Sequence, residues 1–439
     1  MKTLLKNATL LPEYGYGDKR VHVTVRNRKI AEISETLPEN EKADEVVDCG
    51  GNLLMPAFCN THCHAAMTLF RGYGEDLPLK EWLETRIFPA EEKLTFRAVY
   101  HASMLAIAEM LRNGIASFSD MYMFEDAVAE AVLASGIKAN LSRSLVSFDP
   151  EVDMAKEQRT VEAVRLAEWY HGCDEGRLLV DFSLHAEYTN VPKACEYVAE
   201  LAKRFKTGMQ IHLSETEREH LECMDRWGKT PTEFFRDTGV LDVPTTAAHC
   251  VWVTDSDIEI LRDKGVTVAH NPVSNLKLGS GVAPLRKLLD AGVNVALGTD
   301  GTASNNRLDI LREVQTAALI HKGVTRNPTE IKAAELIPLA PVNGMRAQGR
   351  RDCGRVEKGY CADLILIDRN SLHNQPCFDD YAMLAFSADA NDVKMTMVDG
   401  RILYRGGEYT SIDEERLRAD CRETFAHYFD CRQERMFCG

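Results

Sequence analysis

Short apolar segments alternate with longer helical patterns through the middle of the chain. Eight segments have the length and apolar character of buried strands: 53–60, 115–119, 139–146, 178–184, 209–213, 245–249, 266–270 and 293–297. Helical patterns fall between them, for example at 98–113, 160–170, 192–205 and 255–264. Such alternation is typical of βα units and a parallel sheet. Eight strands predict an α/β fold, a (β/α)8 TIM-type barrel; the alternative, a doubly wound sheet, more often has fewer strands.

The two chain ends share a different pattern, in which short segments alternate apolar and polar residues. These segments cover 4–10, 21–25 and 30–33 near the start and 362–368 and 393–404 near the end. In the last of them, Asp399-Gly400 is a strong hairpin turn signal. We expect residues 1–55 and 350–410 to form one small β-sandwich domain that flanks a barrel of residues 56–349. Residues 411–439 have the spacing of an amphipathic helical tail.

Composition restricts the partners and the compartment. Of 439 residues, 45% are apolar and 27% charged, an ordinary balance for a globular protein. The 52 basic and 67 acidic residues give a formal charge of −15, which argues against nucleic acid or an anionic membrane as the main partner. No apolar stretch reaches the roughly 18 residues that span a bilayer. With no secretory signal visible and 13 cysteines scattered without a C-x-x-C pair, we expect a cytoplasmic protein with reduced thiols.

Two histidines one residue apart, His62 and His64, follow the first apolar segment. If the strand is still extended there, both side chains point the same way, because side chains alternate with period two. Two imidazoles on one face can bind one metal ion. A single pair of this kind is weak evidence, so the prediction depends on further ligands elsewhere in the chain.

The ends of the later strands supply further candidate ligands. In a barrel, chemistry collects at the carboxyl ends of the strands, and these ends carry His185, His212, His249, His270 and Asp300. A lone histidine at a strand end is more often a structural residue. Several together favour a metal site, because each buried imidazole costs desolvation unless its nitrogen has a partner.

His62, His64 and His212 would give three nitrogen donors, and Asp300 one oxygen donor, with a position left for water. A divalent metal lowers the pKa of such a water from about 15.7 to about 7. Glu215 follows His212 by three residues. If the chain turns into a loop or helix after the strand, its carboxyl group returns to the same end of the barrel, where it would move protons between the water and the substrate. His249 would hydrogen-bond the water or the substrate.

Five segments of the chain resemble the amidohydrolase superfamily, and more narrowly its 5-methylthioadenosine/S-adenosylhomocysteine deaminases. They are PAFCNTHCH at 56–64, HLSE at 212–215, AHC at 248–250, HNPVSNLKLG at 270–279 and LGTDG at 297–301. The resemblance covers nearly the whole chain. The order of the motifs is highly specific for the superfamily and less so for the substrate.

The resemblance implies one divalent metal, zinc or iron, held by His62, His64, His212 and Asp300. Relatives with two metals often use a lysine at the end of the fourth strand, where this chain has His185. That difference favours a single-metal site.

The resemblance also implies roles in the reaction. Glu215 would carry a proton to a purine ring nitrogen, His249 would orient the attacking hydroxide, and Asp300 would accept its proton. Glu215 and Asp300 would both contact the substrate.

Substrate-binding residues follow from the same resemblance. Glu91 matches a carboxylate that holds the ribose hydroxyls, and Trp82 lies in the same lid-like segment as an apolar wall. Their alternative interpretations are a solvated helix-end glutamate and a core tryptophan. Arg143 and Arg159 match arginines that reach the amino-acid end of S-adenosylhomocysteine, although Arg159 also fits a plain surface charge.

The histidine that touches the purine in the family corresponds to His185. Two residues later this chain has Glu187 where the family usually has proline. The additional acidic residue leaves the fine substrate preference open.

Together with these residues, the resemblance implies a metal-dependent hydrolytic deaminase of adenosine-type nucleosides that forms a homo-oligomer, either a dimer or a tetramer. Expected substrates are S-adenosylhomocysteine, 5-methylthioadenosine, adenosine and 5-deoxyadenosine, and the products are ammonia and the inosine analogue. One alternative is an amidohydrolase or chlorohydrolase of a free base or other heterocycle, such as guanine, cytosine, a pterin or a triazine. Another is a catalytically silent metal-binding scaffold.

Overall fold

The computed structural model describes residues 1–37, 42–77 and 79–429. Eight parallel strands form a nearly closed barrel, and each is hydrogen-bonded to the next in chain order. The strands are Phe58–Cys63, Ile115–Tyr122, Lys138–Leu145, the two-part fourth strand Leu178–Val180 and Phe182–Leu184, Met209–Leu213, Thr245–His249, Thr267–His270 and Asn294–Leu297. The predicted (β/α)8 TIM-type barrel is confirmed.

The seam between the eighth and the first strand is joined near their carboxyl ends. Asp300 N–H donates to the carbonyl of His62 at 3.0 Å. Asn60 accepts from the Thr299 amide at 2.9 Å and donates to the Thr299 hydroxyl at 2.7 Å. A Cβ at Gly298 would lie 2.9 Å from the backbone nitrogen and oxygen of His62. A residue without a side chain at 298 therefore allows the approach that brings Asp300 beside His62.

Helices surround the barrel, and most of the longer ones fall where the apolar spacing predicts them. Phe96–Arg112 begins after Thr95, whose hydroxyl accepts from Ala98 N–H at 3.2 Å, a common helix cap. The longer helices are Phe96–Arg112, Glu125–Ser135, Gln158–Tyr170, Pro192–Phe205, Glu217–Trp227, Asp255–Asp263, Ile310–Thr325 and Glu414–Tyr428. The shorter ones are Leu79–Trp82, Phe88–Glu91, Cys173–Gly176, Pro231–Asp237, Pro272–Lys277, Leu285–Asp290, Thr302–Asn305, Ala333–Leu336, Val342–Ala347 and Asp380–Phe386.

Two sheets flank the barrel. The first is formed by strands near the start of the chain, and the second joins one such strand to strands near the end. One contains Lys2–Ala8, Val21–Arg26, Lys29–Ser34 and Glu45–Asp48; the other contains Leu53–Pro56, Leu364–Ile367, Val393–Val398, Arg401–Arg405 and Glu408–Tyr409. Leu5 and Val23 of the first sheet share a buried cluster with Leu54, Leu366 and Met397 of the second. This packing confirms the predicted small β-sandwich; its boundaries as a domain stay a prediction.

The prediction of one strand over 53–60 is wrong. The chain breaks at Ala57, whose N–H donates to Asp363 O at 3.0 Å. Leu53–Pro56 pairs antiparallel with Leu364–Ile367, whereas Phe58–Cys63 pairs parallel with the second barrel strand. Both halves are buried, so the apolar run gives no sign of the break. The predicted strand 178–184 is likewise interrupted, at Asp181.

The predicted tail at 411–439 contains the helix Glu414–Tyr428. It packs on Phe96–Arg112, where His101 Nδ1 lies 2.7 Å from the Thr424 hydroxyl. Residues 430–439 lie outside the described residues. Within the described part of the chain, no helix has the length and apolar character to cross a membrane.

Candidate active site

Histidines and one aspartate converge at the carboxyl end of the barrel. The ring of His62 lies 4.9 Å from that of His64 and 5.0 Å from that of His212, measured between centroids. Asp300 Oδ1 lies 3.5 Å from His62 Nε2 and 3.2 Å from His64 Nε2. The structure thus brings together the four side chains predicted to hold a metal.

Backbone carbonyls orient two of these rings. Nδ1 of His64 lies 2.7 Å from the carbonyl of Met121, and Nδ1 of His212 lies 2.7 Å from the carbonyl of His185. A carbonyl only accepts, so in each ring Nδ1 carries a proton and Nε2 is the nitrogen left to face a metal. This arrangement is usual for metal-binding histidines.

Asp300 presents one oxygen to the histidines and uses the other for support. Its Oδ2 accepts from the hydroxyls of Ser274 at 2.6 Å and Ser304 at 2.7 Å. Burial opposes ionisation, but the imidazoles of His62 and His64 hold the pKa of this carboxyl well below its usual range. Asp300 is therefore an anionic carboxylate whose Oδ1 stays available.

The donor set fits one divalent metal. Ligand atoms of His62, His64 and Asp300 lie within 4.8 Å of one another, as do those of His62, His212 and His249. Burial lowers the pKa of His62 to about 4 and that of His212 well below its usual value, so both rings are neutral. Nε2 of His62 is buried and has no hydrogen-bond partner among the described residues. Three imidazole nitrogens and one carboxylate oxygen are a typical zinc donor set.

Glu215 and His249 lie together beside these candidate ligands. His249 Nδ1 lies 2.8 Å from Asn275 Oδ1, which directs its Nε2 toward Glu215 Oε2 at 3.8 Å. Glu215 Oε1 accepts from the Ser280 hydroxyl at 3.4 Å. Burial raises the pKa of Glu215, which suits a carboxyl group that must hold and release a proton.

The backbone turns sharply where these residues leave their strands. The φ angles are 46° at Ser214, 75° at His249, 48° at Cys250 and 61° at Asp300. Residues with a side chain rarely adopt this left-handed region, and such strain is concentrated at functional sites. The Glu219 carboxylate supports one turn, since it accepts from the amides of Ser214 at 2.8 Å and Glu215 at 2.7 Å.

His185 joins the group, whereas His270 does not. The His185 ring lies 4.9 Å from that of His212, and its Nδ1 is 3.2 Å from the Thr189 hydroxyl. Burial lowers its pKa to about 4, so the ring is neutral. His270 instead pairs with His321, with 3.3 Å between their Nε2 atoms.

Glu91 is buried and connects to the cluster through a tyrosine. The Tyr122 hydroxyl donates to Glu91 Oε1 at 2.5 Å, and the Tyr122 ring lies 5.8 Å from that of His64. Burial raises the pKa of Glu91 to about 7. The solvated helix-end interpretation of Glu91 is wrong. Trp82 is 5% exposed within the main apolar core, and its indole donates to Tyr73 O at 3.4 Å.

The two arginines already have protein partners. Arg143 Nε lies 2.7 Å from Glu162 Oε2, and the same guanidinium donates to Ser144 O at 2.7 Å. The Arg159 side chain is 44% exposed; it donates to Val146 O at 3.1 Å and lies 3.5 Å from Glu157. A substrate carboxylate would have to share these guanidinium groups.

Glu187 forms an ion pair with the helix Glu217–Trp227. Its Oε1 lies 2.5 Å from a guanidinium nitrogen of Arg226, and the carboxyl group is buried. The residue that replaces the usual proline of the family therefore has a partner within the protein.

Comparison with known proteins identifies the family. Residues 53–403 match the amidohydrolase family. The chain belongs to this family. Amidohydrolases depend on a metal for activity, in agreement with the cluster of histidines.

Relatives of this amidohydrolase span almost its whole length. It is 44% identical over 420 residues to a 5'-deoxyadenosine deaminase of Methanosarcina mazei, covering 94% of this chain and 95% of the relative. It is 42% identical over 421 residues to a 5-methylthioadenosine/S-adenosylhomocysteine deaminase of Caldicellulosiruptor saccharolyticus, with 95% and 96% covered. A crystal structure of an adenosine deaminase from Xanthomonas campestris with bound zinc superposes with a TM-score of 0.90, at 30% identity, covering 97% and 98%.

Several residues that support this amidohydrolase site were not predicted from the sequence. Tyr122, Ser274, Asn275, Ser280 and Glu219 each hold a predicted site residue in place. Ser274 and Asn275 lie inside the segment 270–279 that carries the family resemblance, which is the signal that could have found them. Glu219 follows Glu215 by four residues and gave no separate signal.

Proposed function

We propose that this amidohydrolase is a metal-dependent hydrolytic deaminase of adenosine-type nucleosides. Its substrates would be 5'-deoxyadenosine, 5-methylthioadenosine, S-adenosylhomocysteine or adenosine, and its products ammonia and the inosine analogue. The observation that carries the proposal is the placement of Glu215, 3.8 Å from His249 and beside a buried donor set of three histidines and Asp300. Relatives over 40% identical and named as deaminases of such nucleosides support the same activity.

His62, His64, His212 and Asp300 would hold the metal, which we propose is zinc. When bound, it supplies a water molecule of lowered pKa as the nucleophile. The Ser274 and Ser304 hydroxyls on Oδ2 keep Oδ1 of Asp300 turned toward the ligands.

The proton transfers belong to residues of the chain. Glu215 would protonate the ring nitrogen next to the amino-bearing carbon, a role that its raised pKa favours. His249, oriented by Asn275, would position the nucleophile. Asp300 would accept the proton of the nucleophile, and that proton would leave with ammonia.

Substrate recognition would use the remaining residues. Glu91, fixed by Tyr122, would accept hydrogen bonds from the two ribose hydroxyls, and the neutral His185 would contact the purine. Trp82 would form an apolar wall. Arg143 and Arg159 would reach a carboxylate at the far end of S-adenosylhomocysteine. The predicted dimer or tetramer and the cytoplasmic location rest on the sequence alone.

Replacing Glu215 by Gln tests the proton transfer. We expect kcat for 5'-deoxyadenosine to fall by about 10² to 10⁴, the usual contribution of a positioned acid or base, while the metal content stays unchanged. Glu217→Gln, at an exposed position two residues away, is the matched control and should retain full activity. Full activity in Glu215→Gln would remove the proposed role and leave a silent scaffold as the better interpretation.

Replacing Glu91 by Gln distinguishes nucleosides from free bases. We expect kcat/KM for nucleosides to fall by about 10- to 100-fold, because a charge-assisted hydrogen bond contributes about 1.5 to 3 kcal/mol. Glu92→Gln, at the exposed neighbouring position, should behave as wild type. Turnover of guanine, cytosine, a pterin or a triazine that is insensitive to Glu91→Gln, with no turnover of nucleosides, would favour the free-base alternative.

A further inference from the structure

A pair of cysteines lies at the amino end of the barrel, far along the strands from the metal ligands. Cys353 and Cys361 belong to the segment between the helix Val342–Ala347 and the strand Leu364–Ile367. Their sulfur atoms and a carboxylate oxygen of Asp352 all lie within 4.8 Å of one another. The two cysteines are 7% and 5% exposed, so they lie just below the surface.

The backbone holds the two thiols side by side. Cys361 N–H donates to Asp352 O at 2.7 Å, which joins the two halves of the segment. Cys361 is also paired with Lys29, at the start of a strand in the first flanking sheet. At Gly354, with φ of 83°, a Cβ would meet Pro341 O at 2.6 Å. The close approach of the sulfur atoms is therefore built into the fold.

Two ammonium groups face the sulfur atoms. Lys29 Nζ lies 3.2 Å from Cys361 Sγ, and Lys138 Nζ lies 3.6 Å from Cys353 Sγ. A neighbouring cation stabilises a thiolate, the reactive form of cysteine. The hydrogen bond from Cys353 lowers the pKa of Cys361 despite its burial, and Lys138 adds to this effect.

The same group of residues is poorly suited to a metal ion. Asp352 already pairs with Lys29, and Lys138 pairs with Asp363 at 2.5 Å and with Asp399 at 2.8 Å. A divalent cation would have to displace two ammonium groups from these carboxylates.

We propose that Cys353 and Cys361 form an oxidation site that hydrogen peroxide converts to a disulfide. The Cys361 thiolate attacks the peroxide, forming an S–O bond as the O–O bond breaks, and the leaving hydroxide takes up a proton to become water. The Cys353 sulfur then attacks the resulting sulfenic acid. An S–S bond forms, the S–O bond breaks, and a second water carries away the Cys353 proton. The two thiols together lose two electrons, which reduce one peroxide.

Peptide mapping of the oxidised full-length protein tests this site. We expect reduced protein treated with hydrogen peroxide to yield a peptide pair joined through Cys353 and Cys361, lighter by two hydrogens and released by dithiothreitol. In Cys353→Ser, the sulfenic acid should accumulate at Cys361, where dimedone traps it. If both cysteines remain free for alkylation at a peroxide concentration that oxidises other cysteines of the chain, the proposal is wrong.

Lysine variants test whether a neighbouring ammonium group speeds the oxidation or whether the two sulfur atoms are merely close together. Lys29→Met should slow the oxidation at least fivefold, whereas Lys19→Met, which removes an exposed lysine paired with Glu35, should not change it. Equal rates in wild type and Lys29→Met would remove the role of Lys29. A bound zinc ion that is lost in Cys353→Ser would replace the oxidation site with a metal site.

Discussion

The two ends of the barrel both bury ionisable groups, but they treat them differently. At the amino end, Lys138 is 1% exposed and its ammonium group contacts both Asp363 and Asp399. Arg350 beside it donates to the carbonyls of Ala139 and Arg177 at 3.0 and 2.9 Å. At the carboxyl end, His62 Nε2 has no hydrogen-bond partner among the described residues. Paired groups hold the fold, whereas a buried nitrogen without a partner among converging histidines indicates a missing bound group.

The largest effect should come from removing the proposed metal ion at the carboxyl end of the barrel. Dialysis of the holoenzyme against a chelator should lower turnover by more than about 10³-fold. The reason is that the metal supplies both the nucleophile and the Lewis acid of the reaction. Zinc should restore it. The unfolding midpoint should also fall, because a ligand bound only to the folded state stabilises that state. Unchanged turnover in protein shown to be metal-free would contradict the assignment of the site.

The next effect should come from breaking the paired network at the amino end. Lys138→Met leaves Asp363 and Asp399 buried without their cation, so the free energy of unfolding should fall by about 3 to 5 kcal/mol. Denaturant titration measures this loss. The kcat of the folded fraction should stay the same, because the proposed catalytic residues lie at the opposite strand ends.

Lys6→Met is the control for that experiment. It removes a lysine from an exposed ion pair with Asp48 and should change stability far less, since water screens such a pair. A Lys138→Met variant that is as stable as wild type but catalytically impaired would reverse our interpretation of the two ends.

A smaller effect, on metal affinity, is expected from removing a hydrogen bond that supports Asp300 at the carboxyl end. Ser274→Ala removes one of the two hydroxyls on Asp300 Oδ2 and should weaken metal affinity by about 10- to 100-fold, as is usual for residues that orient a ligand. Competition with a chromogenic chelator measures the affinity. Ser256→Ala, at an exposed position, should leave it unchanged; equal affinities in both variants would show that Asp300 needs no such support.

The smallest effect is expected at Arg159. Its side chain is half-exposed, and it belongs neither to the buried ion pairs at the amino end of the barrel nor to the histidine cluster at the carboxyl end. Arg159→Ala should change the free energy of unfolding by less than about 0.5 kcal/mol. KM for S-adenosylhomocysteine should rise by no more than about fivefold, the limit for an exposed ion pair, and KM for 5'-deoxyadenosine should not change. A rise shared by both substrates would exclude a contact with the amino-acid carboxylate.

Local sequence patterns were sufficient for the elements and for the side chains at strand ends. Apolar periodicity marks eight barrel strands, and the rule that chemistry follows their carboxyl ends led to His62, His212 and Asp300. Contacts between distant segments left no such pattern. The break at Ala57 depends on pairing with residues some 300 positions later, and the partner of Glu91 is fixed only when Tyr122 folds beside it. Glu187 similarly has a partner, Arg226, that only the fold reveals.

The seam at Gly298 has a consequence for folding. The proposed metal ligands come from the first, fifth and last strands, and Asp300 reaches His62 only when the last strand docks on the first. Contacts so distant along the chain form late and at a high entropic cost. A refolding chain should thus recover helix content before it recovers metal affinity, and the appearance of a bound metal would report the moment at which the barrel closes.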